Sequence, residues 1–99
     1  MNLTVSSENK VYTIAVSGRI DTLTAPELEE KFREIENDAE KLIFDMREVE
    51  YISSAGMRVI VAAHRAMAGK NGFVLKGLTK NVSTIINLTG FNKILNIED

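Results

Sequence analysis

Apolar residues recur along the chain at two spacings, and the changes between them mark the elements. Leu3 and Val5 alternate with polar neighbours, as in a half-exposed edge strand, and Glu8-Asn9-Lys10 is a polar turn. Val11 to Val16 is apolar and branched at nearly every position, which predicts a central strand covered on both faces, stopping at Gly18 and paired with the first strand as a hairpin. Thr24-Ala25-Pro26-Glu27 has the form of a capping box with an early proline. It predicts a helix whose stripe is Leu28, Phe32 and Ile35 and whose solvated face carries Glu29, Glu30, Lys31, Arg33, Glu34 and Glu36, ending at Asn37-Asp38. Leu42-Ile43-Phe44 is a short apolar run of the kind a fully covered strand shows, closed by Asp45.

The spacing then becomes helical. Met57, Ile60, Val61, His64 and Met67 follow the three-and-four pattern, Val59, Ala62, Ala63 and Ala66 make the other side small and apolar, and Gly69 sits where a left-handed stop is expected. Gly72 to Lys76 reads as the next strand, and Thr79 opens a helix carrying Val82, Ile85 and Ile86 inward. Gly90 followed by Phe91 fits a glycine stop with an apolar residue folding back, and Ile94 to Ile97 is a short strand or turn of helix. Strands alternating with helices of this length need crossover connections. The expected fold is therefore α/β: a mostly parallel central sheet with an N-terminal hairpin and helices packed against it, in one domain over residues 1–99.

Composition narrows the function. Lys+Arg 12 against Asp+Glu 14 gives a net charge of -2, and no basic stripe interleaves with aromatics, so direct binding to nucleic acid is not expected. The absence of cysteine excludes thiolate catalysis, disulfides and cysteine metal sites. No run is long enough to cross a bilayer and the first residues form no export signal, so a cytoplasmic location without membrane association is expected, and Asn81-Val82-Ser83 is a chance sequon.

Candidate chemistry concentrates at Glu50-Tyr51-Ile52-Ser53-Ser54-Ala55-Gly56-Met57-Arg58, where a buried strand passes through two hydroxyls into the apolar helix. Catalysis by Ser54 would need a base. The only histidine, His64, lies roughly 15 Å farther along the same helix by the rise per residue, too far for a proton relay. Neither a nucleophile elbow nor a phosphate-cradling glycine loop is present, so no enzyme, cofactor or resident metal is expected. Asp45 could accept phosphate in a receiver-type pocket, but the acidic pair such a pocket needs is missing after the first strands, which end Val16-Ser17-Gly18; a loop-fixing carboxylate is the alternative.

Two accounts of Ser53 and Ser54 stay open on the residues alone. In the first, one serine is a helix cap and the other a loop contact, each contributing about 1 kcal/mol. Alternatively, one is modified: a phosphate would add roughly -1.5 to -2 charges at a helix N-terminus, Arg58 lies one turn on, and a partner approaching over the small Ala55 and Gly56 would meet a bulky anion.

Three segments carry a resemblance that covers essentially the whole chain. They are Gly18-Arg19-Ile20-Asp21, then Phe44-Asp45-Met46 through Val49-Glu50-Tyr51-Ile52-Ser53-Ser54-Ala55-Gly56-Met57-Arg58-Val59, and Asn87-Leu88-Thr89-Gly90-Phe91. Through them the chain resembles the STAS-domain anti-sigma factor antagonists of bacteria. The resemblance implies a phosphorylation-controlled partner switch. The unphosphorylated protein would bind an anti-sigma factor that is also a serine kinase and so free a sigma factor; phosphorylation would break that complex, and a serine phosphatase would reset it. On matching positions the acceptor is Ser54, with Ser53 the alternative because members carrying the modification have an aspartate where this chain has Ser53. Asp21 matches an aspartate beside the phosphorylated loop, and the implied partner surface comprises Asp21, Ser53, Ser54, Ala55, Gly56, Met57 and Arg58. Many members also continue into a further C-terminal helix beyond the point where this sequence ends, at Asp99. A constitutive, unphosphorylated interaction module in a larger signalling assembly is the alternative function.

Overall fold

The computed structural model describes all of residues 1–99. Strands β1 (Asn2–Glu8) and β2 (Val11–Ile20) form an antiparallel hairpin whose turn places Asn9 and Lys10 at positive φ. Then follow α1 (Ala25–Ile35), β3 (Lys41–Ile52), α2 (Ser54–Ala66), β4 (Phe73–Lys76), α3 (Lys80–Thr89), a single 3-10 turn (Phe91–Lys93) and β5 (Asn96–Glu98). The sheet order is β1-β2-β3-β4-β5, with every pair after the hairpin parallel. The α/β architecture is the expected one. No helix is long and apolar enough to cross a membrane.

Cover on both faces of the central strands was expected, and the structure differs. Because strand order never reverses, each right-handed crossover steps the same way and delivers its helix to the same side of the sheet. Ile14 and Val16 of β2, Leu42, Phe44 and Met46 of β3, and Phe73 and Leu75 of β4 accordingly join Leu28, Phe32, Ile60, Val82 and Ile86 in one core of 22 buried residues. The opposite parity, Thr13, Ala15, Ile43 and Asp45, is only half-buried. Phe44 and Phe73 meet edge to face at 4.8 Å between ring centroids, a favoured aromatic geometry at the centre of that core.

The two central strands also run farther than expected. β2 passes through Gly18, at φ +96°, to Ile20, and β3 continues past Asp45 to Ile52. Register shifts fall between Ala15 and Ser17 and between Gly18 and Arg19, where β3 carries an extra residue each time. Each bulge turns the inward spacing on β3 from two residues to three, so that Met46, Val49 and Ile52 all point into the core. Asp45 therefore lies within a strand, where its carboxylate takes a two-point contact from the Arg47 guanidinium at 2.7 and 3.0 Å and accepts a hydrogen bond from the Arg47 backbone N–H at 3.2 Å. Those hydrogen bonds from Arg47 hold the Asp45 carboxyl below the ordinary carboxylate range.

Two helix ends also differ. The Thr24 side chain does not cap α1; its hydroxyl donates to the Arg19 carbonyl at 2.7 Å instead. Gly69 is not left-handed: α2 ends at Ala66 with Met67 as its C-cap, and the positive φ falls on Gly72. The start of α3 at Thr79, which accepts from Val82 N, and its left-handed Gly90 match expectation.

Candidate functional site

The long central strands carry both chain reversals of interest to one end of the sheet, beyond the C-termini of β2 and β3. Ile20 and Ile52 end β2 and β3 side by side, and Ser53 N donates to the Ile20 carbonyl at 2.8 Å, which fixes the loop after β2 against the start of α2. Ser53 is extended, with φ -92° and ψ 176°, and its hydroxyl oxygen accepts from Gly56 N at 3.2 Å while its carbonyl accepts from Met57 N. Ser53 is thus the N-cap.

That assignment leaves Ser54 without structural duty. Its side chain is exposed and makes no hydrogen bond within the chain. The first-turn amides of Ser54 and Ala55 have no carbonyl one turn earlier in the helix to satisfy them. An anion ester-linked to the Ser54 oxygen would lie beside these donors and the positive end of α2.

Asp21 stands just beyond Ile20, and its Oδ1 accepts from Leu23 N at 3.0 Å, Thr24 N at 3.1 Å and the Thr24 hydroxyl at 3.1 Å. The hydrogen bond from the Thr24 amide leads the causes that lower its pKa, so it is a charged loop-fixing group at neutral pH. The turn it holds presents Leu23 almost wholly to solvent, at 86% exposure. Behind it, Arg19 stacks on the Tyr51 ring at 4.4 Å.

Gly56 and Met57 are buried and contribute to the surface from beneath. Small size at Gly56 was expected to let a partner approach; the cause is internal. A Cβ there would lie 2.7 Å from Ile52 Cγ1, 2.8 Å from Ile20 Cγ2 and 3.1 Å from the Ile20 carbonyl, so glycine is what lets α2 sit down on the strand ends. Arg58 is exposed, one turn from Ser54.

Ser54 and Arg58 share an open groove of about 430 Å³ with Met57, Val61, Ala62, Arg65, Thr89 and Phe91. Sequence reasoning missed Arg65 and Phe91 as walls of this groove and Leu23 as an exposed side chain. The spacing of seven between Arg58 and Arg65 does put them on one helix face. Phe91 reaches it only because left-handed Gly90 folds the chain back.

Comparison with known proteins gives a consistent picture. The STAS domain model matches residues 2–99. An anti-sigma-B factor antagonist of Listeria monocytogenes is 32% identical over 89 residues, covering 87% of this chain and 77% of that protein. The anti-sigma-B factor antagonist of Staphylococcus aureus is 24% identical over 102 residues, covering 100% of this chain and 94% of the relative. The crystal structure of an anti-sigma factor antagonist from Mycobacterium paratuberculosis superposes with a TM-score of 0.90 at 28% identity, covering 98% of this chain and 84% of the other.

Proposed function

We propose that this chain, which belongs to the STAS domain family, is an anti-sigma factor antagonist whose partner binding is set by the state of Ser54. In this account residues 1–99 act as one domain in the cytoplasm, without catalytic activity of their own. With Ser54 unmodified, the surface formed by Asp21, Ser53, Ser54, Ala55, Gly56, Met57 and Arg58 binds an anti-sigma factor with serine kinase activity, and the sigma factor is released. The kinase then transfers the γ-phosphoryl group of ATP to Ser54. The Oγ–P bond forms as the bond from the γ-phosphorus to the bridging oxygen breaks, ADP leaves, and the hydroxyl proton passes to a base of the kinase. A serine phosphatase hydrolyses the ester and restores the binding state.

The observation that carries this reading is the unequal engagement of the two serines. Ser53 Oγ accepts the Gly56 amide, so modifying it would cost the cap, whereas the exposed Ser54 hydroxyl has nothing to lose. A phosphate on Ser54 would be tolerated by the helix and rejected by a partner that must bury it. Calorimetric titration of the wild type, Ser54→Ala and Ser54→Asp with the anti-sigma kinase tests this. Wild type and Ser54→Ala should bind, Ser54→Asp should not, and only proteins retaining Ser54 should gain one phosphate by intact mass after incubation with kinase and ATP. Equal affinity for all three with no mass gain would identify a constitutive interaction module instead.

A further inference from the structure

The groove beside Ser54 is electrostatically unbalanced. Its floor is apolar, from Met57, Val61, Ala62 and Phe91, its charged walls are Arg58 and Arg65, and no carboxylate lines it. The ion pairs of the chain involve Lys10, Lys31, Arg33 and Arg47, so both groove guanidiniums are unpaired, in a protein whose net charge is -2. On its other flank Arg58 shares a smaller cleft with Glu29, but that carboxylate is committed to Arg33 at 3.4 Å. Two cations two helical turns apart, roughly 10 Å by the helical rise, beside an apolar floor match an amphipathic segment bearing acidic residues.

We propose that Arg58 senses the state of Ser54: free while the hydroxyl is free, and bridged to the phosphate once Ser54 is esterified, so that modification neutralises the groove toward an acidic partner segment. The inference rests on Ser54 being the modified residue and adds the device by which the change is read. Residues i and i+4 of a helix are neighbours, about 5–6 Å apart at Cβ, within reach of an arginine side chain. A phosphate of nearly two negative charges would offset the +2 of Arg58 and Arg65 together. The steric block and the loss of attraction then act in the same direction.

Phosphoserine incorporated at position 54 by codon suppression tests the contact with no kinase or partner present, so its outcome is independent of whether a cell modifies this residue. The phosphorus resonance is followed through a pH titration. In the otherwise wild-type protein the second ionisation should fall below its ordinary value of about 6 by roughly half a pH unit, returning toward that value in Arg58→Gln and moving less in Arg65→Gln. The Arg58 side-chain Nε–H resonance should shift with the same midpoint. Superimposable phosphorus titrations for wild type and Arg58→Gln, with amide spectra showing both folded, would overturn the proposal.

Discussion

Gly56→Ala isolates the contact on which the site is built. Replacing glycine by alanine within a helix favours folding by about 1 kcal/mol through backbone entropy, so propensity alone argues for a more stable protein. Packing argues the reverse. The new methyl would meet Ile52 Cγ1 at 2.7 Å and Ile20 Cγ2 at 2.8 Å, atoms bonded directly to Cβ in β-branched side chains that cannot swing aside, and both residues are fully buried. Overpacking of this kind costs about 1–3 kcal/mol, and two hard contacts plus a backbone oxygen at 3.1 Å place it in the upper half of that range. The net expectation is a loss of about 1–2 kcal/mol, or a melting temperature lower by about 5–15 °C for a domain of this size. Thermal and urea unfolding followed by far-UV circular dichroism would measure it. In an Ile52→Ala background, where the nearest atom is gone, the same glycine substitution should cost less, giving a non-zero coupling in a double-mutant cycle. A midpoint equal to or above wild type for Gly56→Ala alone would refute the argument that glycine is needed for seating α2.

Further outcomes follow from the same geometry. Ser53→Ala should lower stability by about 1 kcal/mol through loss of the cap, whereas Ser54→Ala should stay within about 0.5 kcal/mol of wild type, both read from urea midpoints. Gly77→Ala should cost about 1–3 kcal/mol: its φ is +71°, and a Cβ there would collide with the Arg47 Cγ, displacing the side chain that holds Asp45. The folded-state pKa values of Asp21 and Asp45 are lowered, so their contribution is fully present above the unfolded carboxylate value of about 3.9 and is lost as pH falls through the lower folded values. Melting temperatures of wild type and Asp45→Asn should therefore differ most near neutrality and converge below about pH 4.

Where local pattern and tertiary demand agreed, the elements were legible. The polar turn at Asn9-Lys10, the Leu28, Phe32 and Ile35 stripe, the Thr79 cap and the Gly90 stop all behave as their residue types dictate. The full length of β3 was not, because its two bulges stretch the inward spacing to Met46, Val49 and Ile52 and erase the alternation that identifies a strand. Cover on both faces of β3 was inferred from the apolar run Leu42-Ile43-Phe44, in which Ile43 is only half-buried; its surroundings depend on strand order, a global property with no local signal. At the site, both serines and the helix start were readable. Their division of labour was not, since which hydroxyl turns inward is decided by backbone dihedrals at Ser53 that either serine could adopt. Thr24 matched a capping box, yet the Arg19 carbonyl and the Asp21 carboxylate, brought close by the turn, compete for its hydroxyl.

Because Ser53 anchors the helix while its neighbour stands idle, the architecture of this turn and the regulation proposed for Ser54 are mutationally separable. Under that proposal a lineage could exchange Ser54 for alanine or for an acid, fixing the output permanently on or permanently off, and inherit an intact scaffold either way. The converse exchange at Ser53 would weaken the fold itself, because it removes the oxygen that accepts the Gly56 amide.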